Sequence, residues 1–207
     1  MICVLYLLFT ALGAFVLGSF PTGYVVGRSK GVDIRDHGSG NIGATNVFRT
    51  LGRPFGILVF AIDALKGFAA VRIALVAGPP EISTWLGIVA AVAVIAGHNY
   101  TPWLGFRGGK GIATSAGVLV ALMPLAVLSV AVVWFAVFAF SRYVSLASIA
   151  AAAALPVAVG IFWLTNLGGN APLLGFSVLI SGLAIWRHRS NIERLRHGTE
   201  SRFSKTS

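Results

Sequence analysis

Long apolar stretches alternate with short polar segments along most of the 207 residues. A helix needs about 20 apolar residues to cross a hydrocarbon core of roughly 30 Å, and most of these stretches approach or exceed that length. The pattern therefore predicts an all-α fold, a polytopic membrane helix bundle forming one integral-membrane domain over residues 1–207. Its seven predicted segments are 2–26, 54–77, 82–97, 111–122, 125–140, 145–164 and 172–187.

The stretch 111–140 is compatible with one long helix or with two helices broken at Pro124. Loops on the cytoplasmic side carry an excess of Lys and Arg, and the break places every Lys and Arg except Lys66 and Arg72 on one side. We therefore expect the break, with the N-terminus outside and the C-terminus in the cytoplasm. Residues 111–122 would then span only about 18 Å. Such a helix must begin partway into the membrane, inside protein, where its first residues are a natural ligand site.

Three charged residues interrupt the second predicted segment: Asp63, Lys66 and Arg72. Charges at this depth normally face the bundle interior and pair, so we expect all three to be interior. Asp63 and Lys66 lie three residues apart, on one helical face. We interpret them as a structural ion pair, with a catalytic role as the alternative.

Composition supports a membrane protein, because 57% of the residues are hydrophobic and only 11% are charged. Soluble domains carry roughly 25% charged residues, and disordered chains lack apolar residues. A single cysteine excludes a disulfide framework within the chain. The net charge of +10 would suggest a nucleic-acid partner in a soluble protein, but the placement of the cations on one membrane face explains the charge without such a partner.

A cleaved signal peptide at residues 2–26 is the alternative to a first span, although no Lys or Arg precedes Arg28.

The first candidate motif, motif 1, comprises residues 38–49. Its glycines permit backbone N–H groups to converge on an anion, its polar side chains add neutral donors, and its arginine offers a bidentate fork for phosphate. The alternative is a flexible loop in which Ser or Asn caps a helix. The candidate binding residues in it are Gly38, Ser39, Gly40, Asn41, Thr45, Asn46 and Arg49.

The second candidate, motif 2, comprises residues 97–111 and leads directly into the short predicted helix. Amides at a helix N-terminus together with a lysine form an anion site. The alternative is that its Lys and Arg serve only topology, and that its histidine is a helix-end hydrogen-bonding residue. The candidate residues are His98, Arg107, Gly108, Gly109, Lys110 and Gly111.

The third candidate, motif 3, comprises residues 187–200. His188 and Asn191 lie three residues apart, hence on one helical face. The alternative is a basic tail that contacts anionic lipid headgroups, which accounts for the later arginines but not for His188 and Asn191.

The sequence argues against several other kinds of site. No cysteine lies near the motifs, so a thiol nucleophile is not expected. The six acidic residues do not cluster, which argues against a carboxylate-bound Mg²⁺, and the four histidines do not form a convincing Zn²⁺ site. The sequence therefore predicts no metal and no cofactor.

Taken together, the three motifs resemble those of the acyl-phosphate:glycerol-3-phosphate acyltransferase family of bacterial membranes, the PlsY family. The resemblance covers nearly the whole chain. It implies transfer of a fatty acyl group from acyl phosphate to the 1-hydroxyl of sn-glycerol 3-phosphate, giving lysophosphatidic acid and phosphate as the first step of phospholipid synthesis. It also implies a place in the bacterial plasma membrane with the active site facing the cytoplasm. The expected partners are the two substrates and the lipid bilayer, and a monomer is compatible with the sequence.

The resemblance also implies roles for individual residues. Ser39, Arg49, Lys110, His188 and Asn191 are implied to bind glycerol 3-phosphate or to act in catalysis, and backbone around Gly108 and Gly109 to hold a phosphate. We interpret Ser39 as a donor to phosphate, with a covalent nucleophile as the alternative. The base is either a substrate phosphate oxygen, as the resemblance implies, or His188, whose ordinary pKa is near neutrality.

Two other functions remain as alternatives from the sequence. A small transporter for an anionic solute suits a broken helix with a Gly-Lys site, but repeats are absent and the motifs share one side. A Mg²⁺-dependent lipid phosphotransferase lacks the acidic cluster that it would need.

Overall fold

The computed structural model describes residues 2–203 and contains, over that range, ten α-helices and no β-strand. The helices are α1 Ile2–Ser19, α2 Thr22–Ser29, α3 Ala44–Leu51, α4 Arg53–Ala77, α5 Ser83–Asn99, α6 Ile112–Leu122, α7 Pro124–Ser141, α8 Val144–Leu164, α9 Ala171–Arg187 and α10 Arg189–Arg196. The chain divides into two compact units, the first ending at Leu122 and the second beginning at Met123.

Six of the seven predicted segments are helices, with bounds within two residues of the expectation. The break at Pro124 is confirmed, because α6 ends at Leu122 and α7 begins at the proline. The first predicted segment, 2–26, lies within Ile2–Ser29, which is long and apolar enough to cross a membrane, but it is not one continuous helix. It divides between Ser19 and Thr22 because Pro21 lacks an amide hydrogen and disfavours helical geometry at the residue before it.

Four helical segments in the described chain are long and apolar enough to cross a membrane: Ile2–Ser29, Pro80–Leu104, Pro124–Ser141 and Val144–Leu164. The bent pair formed by α9 and α10 makes a fifth if it is counted as one span. Large apolar side chains face outward on these helices, Phe9 at 70% and Phe140 at 92% exposure. The all-α architecture with several apolar helices is thus present. The count of seven spans and the orientation of the termini stay predictions.

Helix α4 is central to the first unit and contacts α1, α2, α3, α5 and α6. Its contact with α6 depends on glycine. A Cβ on Gly67 would overlap the carbonyl oxygen of Thr114, and one on Gly117 would overlap that of Ala64. Small residues of this kind let membrane helices approach closely. Helix α6 therefore packs along the middle of α4, which agrees with the expectation that it begins inside protein.

The charged residues of α4 divide between two faces. Asp63 and Lys66 are 1% and 5% exposed and form an ion pair of 2.8 Å, which confirms the expected interior pair. Arg72 is exposed, so the prediction that it faces the interior is wrong. It follows Asp63 by nine residues, and at 3.6 residues per turn that separation places it on the opposite side of the helix.

The second unit contains α7, α8, α9 and α10, in which α8 packs against both α7 and α9. Helix α8 continues through Pro156. The indole N–H of Trp134 on α7 donates to the hydroxyl of Ser148 on α8 at 3.2 Å. Helices α9 and α10 meet at a bend of 54°, and His188 is the residue between them.

Candidate functional site

Motif 1 is a loop organised by one buried side chain. Asn46, 2% exposed, donates through Nδ2 to the carbonyl oxygens of Ile34 at 3.1 Å and His37 at 2.9 Å. Its Oδ1 accepts the backbone N–H of Ser39 at 2.9 Å. The side-chain amide is thus engaged at both ends with the loop itself. This geometry suits a residue that positions the loop, while its predicted direct contact with substrate stays a prediction.

The remaining motif 1 residues lie around this loop and on α3. Asn41 Oδ1 accepts the N–H of Gly43 at 2.9 Å, one residue before α3 begins. Thr45 and Arg49 are four residues apart on α3 and so share a helical face. Helix α3 is held on α4 at Gly56, where a Cβ would overlap Phe48.

An exposed ion pair precedes motif 1. Arg35 donates to Asp33 through Nε at 2.9 Å and through an NH2 group at 2.6 Å. The hydrogen bond from the Arg35 side chain, with a second from its backbone N–H, lowers the pKa of Asp33 to about 2. The same hydrogen bond raises the pKa of Arg35. Both groups are therefore charged at any physiological pH, next to the loop that carries Ser39.

The glycines of motif 2 fold the loop back onto the end of α5. The N–H of Gly108 donates to the Asn99 carbonyl and that of Gly109 to the His98 carbonyl, each at 3.1 Å. A Cβ on Gly108 would overlap the His98 carbonyl oxygen, and one on Gly109 would overlap the His98 ring. Only glycine fits at these two positions. Both amides donate within the loop, and the predicted binding of a phosphate by the backbone around Gly108 and Gly109 stays a prediction.

The amides that face a prospective anion are those that begin α6. The helical hydrogen bonds start with Ser115 N–H donating to the Gly111 carbonyl at 2.7 Å. The N–H groups of Ile112, Ala113 and Thr114 therefore have no acceptor within the helix. The helix dipole favours negative charge at this end. Lys110, which is partly buried, precedes the first residue of α6, Ile112, by two positions.

Thr114 is a residue that the sequence reasoning missed. It lies in the first turn of α6 and is fully buried, and its hydroxyl has no hydrogen-bond partner within residues 2–203. A buried hydroxyl normally has a partner, so it is a candidate donor to a ligand at this helix end. Nothing in the linear sequence separates it from the other hydroxyl residues of the apolar segments.

Motifs 1 and 2 meet through a shared apolar cluster in the first unit. Ile34, Ile42, Val47 and Val59 form its buried centre, and Leu104 packs against them. Leu104 lies within motif 2, whereas Ile42 and Val47 belong to motif 1. The structure therefore brings these two motifs together, as a single binding region would require.

Motif 3 is organised around Glu200 in the second unit. Its Oε1 accepts from the Ser145 hydroxyl at 2.6 Å and from Asn191 Nδ2 at 2.7 Å, and its Oε2 accepts from Arg194 Nε at 2.7 Å. Burial alone would raise the pKa of Glu200. The hydrogen bonds from these three groups and the charge of Arg194 together lower the pKa by more than burial raises it, so the pKa of Glu200 lies below its ordinary value. The sequence reasoning counted Glu200 only as part of a motif. Its partner Ser145 lies 55 residues away.

His188 and Asn191 form one turn, as the spacing predicted. The N–H of Asn191 donates to the His188 carbonyl at 2.9 Å, and His188 Nδ1 lies 2.8 Å from the Ala184 carbonyl oxygen. That contact makes Nδ1 the protonated nitrogen, which leaves Nε2 as the one that can accept a proton. Both side chains are buried, at 3% and 4% exposure.

Burial differs widely among the predicted site residues. Exposed are Gly38, Ser39, Gly40 and Arg107; partly buried are Asn41, Thr45, Arg49, Gly108 and Lys110; buried are Asn46, His98, Gly109, Gly111, His188 and Asn191. No group of three or more His, Cys, Asp or Glu residues in the described range is arranged to hold a metal ion.

The model of the family described as glycerol-3-phosphate acyltransferase matches residues 8–198. This range covers most of both units and includes all fifteen predicted site residues. The chain belongs to the glycerol-3-phosphate acyltransferase family. This membership favours the acyltransferase over the transporter and the phosphotransferase that the sequence left open.

Relatives in the family are similar along nearly their full length. The glycerol-3-phosphate acyltransferase of Geobacter metallireducens is 52% identical over 191 residues, 92% of this chain and 94% of the relative. That of Desulforamulus reducens is 47% identical over 190 residues, 91% of both chains.

Two solved structures share the fold. A crystal structure of PlsY (YgiH), an integral membrane glycerol 3-phosphate acyltransferase in its glycerol 3-phosphate form, has a TM-score of 0.86 and 41% identity and covers 96% of both chains. The lysophosphatidic acid form has a TM-score of 0.84 and 40% identity, covering 96% of this chain and 95% of the other.

Proposed function

We propose that this protein transfers a fatty acyl group from acyl phosphate to the 1-hydroxyl of sn-glycerol 3-phosphate, giving lysophosphatidic acid and inorganic phosphate. The observation that carries the proposal is the full-length likeness to PlsY solved in glycerol 3-phosphate and lysophosphatidic acid forms. These two compounds are the acceptor and the product of the proposed reaction.

Acyl phosphate as the donor is supported by the resemblance of the motifs and by the chemistry of the chain. An acyl phosphate is a mixed anhydride with a good leaving group, so a hydroxyl can attack its carbonyl carbon directly. The ester C–O bond forms, the C–O bond to phosphate breaks, and the hydroxyl proton passes to a substrate phosphate oxygen or to His188. Such a reaction needs no acyl-enzyme, which fits a chain whose single cysteine, Cys3, is outside all three motifs.

Phosphate binding is assigned to the cations and donors of motifs 1 and 2. Lys110 and the first amides of α6 provide a positive end for one phosphate. Arg49, with its planar fork, suits a second phosphate, and the exposed side chain of Ser39 adds a neutral donor. The same groups stabilise the negative charge that develops as the phosphate leaves.

Motif 3 contributes the titratable group. His188 is assigned as a donor to substrate or as the alternative base through Nε2, because its Nδ1 is engaged with Ala184. Asn191, fixed by Glu200, is assigned to substrate binding or catalysis. In the cell, we propose a multi-pass protein of the bacterial plasma membrane whose motifs face the cytoplasm.

A donor assay tests the proposal. Purified protein in detergent, with EDTA present, receives glycerol 3-phosphate and either acyl phosphate, acyl-CoA or acyl carrier protein carrying the same chain. The expected result is lysophosphatidic acid and stoichiometric phosphate with acyl phosphate alone. Product only with a thioester donor would contradict the donor assignment, and no product with any donor would contradict the transferase. Lys110→Ala protein serves as the matched inactive control.

A further inference from the structure

Lys66 directs all its hydrogen-bonding capacity at three acceptors inside the first unit. Its Nζ lies 2.8 Å from Asp63 Oδ1, 3.0 Å from the carbonyl oxygen of Phe20 and 3.0 Å from Nδ1 of His98. An ammonium group has three hydrogens and no acceptor. Each of these contacts therefore uses one hydrogen, and His98 Nδ1 accepts.

The charge state of this cluster follows from its geometry. Asp63 accepts a hydrogen bond from the Thr22 hydroxyl at 2.8 Å in addition to the ion pair, and both carboxylate and ammonium are buried. Buried charges persist when they are paired and hydrogen-bonded. A protonated His98 would place a second cation 3.0 Å from Lys66, while its distance to Asp63 Oδ1 is 3.7 Å. His98 is therefore neutral, with its proton on Nε2.

The proton-bearing edge of the His98 ring faces motif 2. A Cβ built on Gly109 would overlap Nε2 and the ring carbons on either side of it. The N–H of Gly109 also donates to the His98 carbonyl at 3.1 Å. The imidazole thus lies between the ion pair of α4 on its Nδ1 side and the Gly109 backbone on its Nε2 side. Asp63 and Lys66 are the charged groups on its Nδ1 side for which contacts are described.

We propose that Asp63 and Lys66 are positioning residues: they hold His98 in the neutral Nε2–H tautomer, and His98 in turn sets the position of the Gly109 backbone that precedes Lys110 and α6. The last step rests on the proposed function, because it assumes that Lys110 and the α6 amides bind a substrate phosphate. The cluster also reaches motif 1. Thr22 precedes Gly23, where a Cβ would overlap the carbonyl oxygen of Ile42.

The tautomer is tested by nitrogen NMR. Protein labelled with ¹⁵N-histidine is compared with the His98→Gln variant to assign the His98 signals near neutral pH. The expected spectrum has a protonated Nε2 and an unprotonated Nδ1. The Asp63→Asn/Lys66→Met double variant, which removes both charges and so leaves none unpaired, should lose this fixed pattern. Arg72→Met, a charge removed from the opposite face of the same helix, should keep it. A wild-type His98 protonated on Nδ1, or on both nitrogens, would overturn the proposal.

Steady-state kinetics test the positioning. In the double variant, we expect the KM of at least one phosphate substrate to rise roughly ten- to a hundredfold, the loss expected for a hydrogen bond to a charged group, with a smaller change in kcat. Arg72→Met should have wild-type constants. Should the double variant fail to fold, His98→Ala leaves the ion pair intact and should show the same rise in KM. Unchanged KM values would overturn the positioning role.

The two proposals fail in different ways. A wild-type protein inactive with every acyl donor contradicts the proposed function, yet the NMR measurement still decides the tautomer. A wild-type protein that is active, but whose variants keep both the tautomer and the KM, contradicts only the positioning role. A variant with a lower melting temperature and an unchanged KM shows that the pair is structural alone.

Discussion

The backbone N–H of Ser39 donates a hydrogen bond of 2.9 Å to Oδ1 of Asn46, seven residues later in the chain. The same side chain holds the carbonyl groups of Ile34 and His37 through its Nδ2. The backbone at Ser39, whose hydroxyl is a proposed phosphate donor, is therefore held by a residue that is itself buried in the loop.

Replacing Asn46 should disorganise motif 1. We expect Asn46→Ala to lower the melting temperature and to reduce transferase activity at least tenfold, because each buried group left without a hydrogen bond costs about 1–3 kcal/mol. Thermal unfolding in detergent and kcat/KM measure the two effects. Asn170→Ala is the matched control. It removes the N-cap of α9, which costs about 1 kcal/mol, and should leave the rate unchanged. A wild-type rate for Asn46→Ala would contradict the loop-positioning role.

Gly109 should tolerate no side chain. In Gly109→Ala the new Cβ would overlap the His98 ring, so the loop before Lys110 must shift, and a displacement of about 1 Å can cost a hundredfold in rate. We expect a fall of this order in kcat/KM. Gly13→Ala, at a helical glycine with no neighbouring atom within 4 Å, should retain full activity. Similar rates for the two variants would show that the tight packing at Gly109 has no catalytic consequence.

Two cations are expected to be necessary for activity. Lys110→Ala and Arg49→Ala should each lose most activity while the protein still folds, because a hydrogen bond to a charged group contributes about 1.5–3 kcal/mol. The measurement is kcat/KM on protein that elutes as a single species in detergent. Lys30→Ala removes an exposed cation that lies over the Phe55 ring at 4.8 Å, and should be near wild type. Wild-type rates for Lys110→Ala or Arg49→Ala would show that the site is misplaced.

Glu200 should make the second unit sensitive to acid. Its folded pKa lies below the ordinary value, so the carboxylate stabilises the fold above an unfolded pKa of about 4.3, and this stability is lost as the pH falls through the folded pKa. The melting temperature of wild type should therefore exceed that of Glu200→Gln near neutral pH, and the difference should shrink below about pH 4. Glu193→Gln, at an exposed position, should change neither the melting temperature nor its dependence on pH. A difference that does not depend on pH would contradict the charged state.

Cysteine labelling tests the predicted orientation. Cys3 is free and exposed, so it is first replaced by serine. His37→Cys, an exposed position before motif 1, should react with a membrane-impermeant maleimide only after cells are permeabilised. Glu81→Cys, in an opposite turn, should react in intact cells. The reverse result would overturn the orientation and place motif 1 outside.

Several details of the helices show where sequence reasoning succeeds and where it fails. The break before Pro124 followed from the distribution of charge, because a continuous helix would have separated the basic segments. The break at Pro21 was missed because apolar residues continue on both sides of the proline and the hydrophobic pattern does not change there. The exposure of Arg72 was also missed. Charges within a membrane segment normally face the interior, but Arg72 lies on the side of α4 opposite Asp63 and is exposed.

Among the candidate site residues, the residue types are predictable from the sequence, whereas their contacts are not. Ser39, Arg49 and Lys110 are predictable from the sequence because their residue types, beside glycines, suit phosphate. The motifs also pointed to His98, but its contact with Lys66, 32 residues away, could not be deduced from spacing. The engagement of the Gly108 and Gly109 amides and the buried hydroxyl of Thr114 likewise depend on how the loop folds onto α5.

The sequence by itself determined the helices, the apolar character of the chain and the three motifs, because hydropathy, proline and local residue types act over a few neighbouring positions. Only the tertiary structure decided which side chains hold the loops in place. His98 meets Lys66, and Glu200 meets Ser145, because segments distant in sequence pack together. A hydrogen bond between distant residues forms only where that packing brings a donor and an acceptor within about 3 Å.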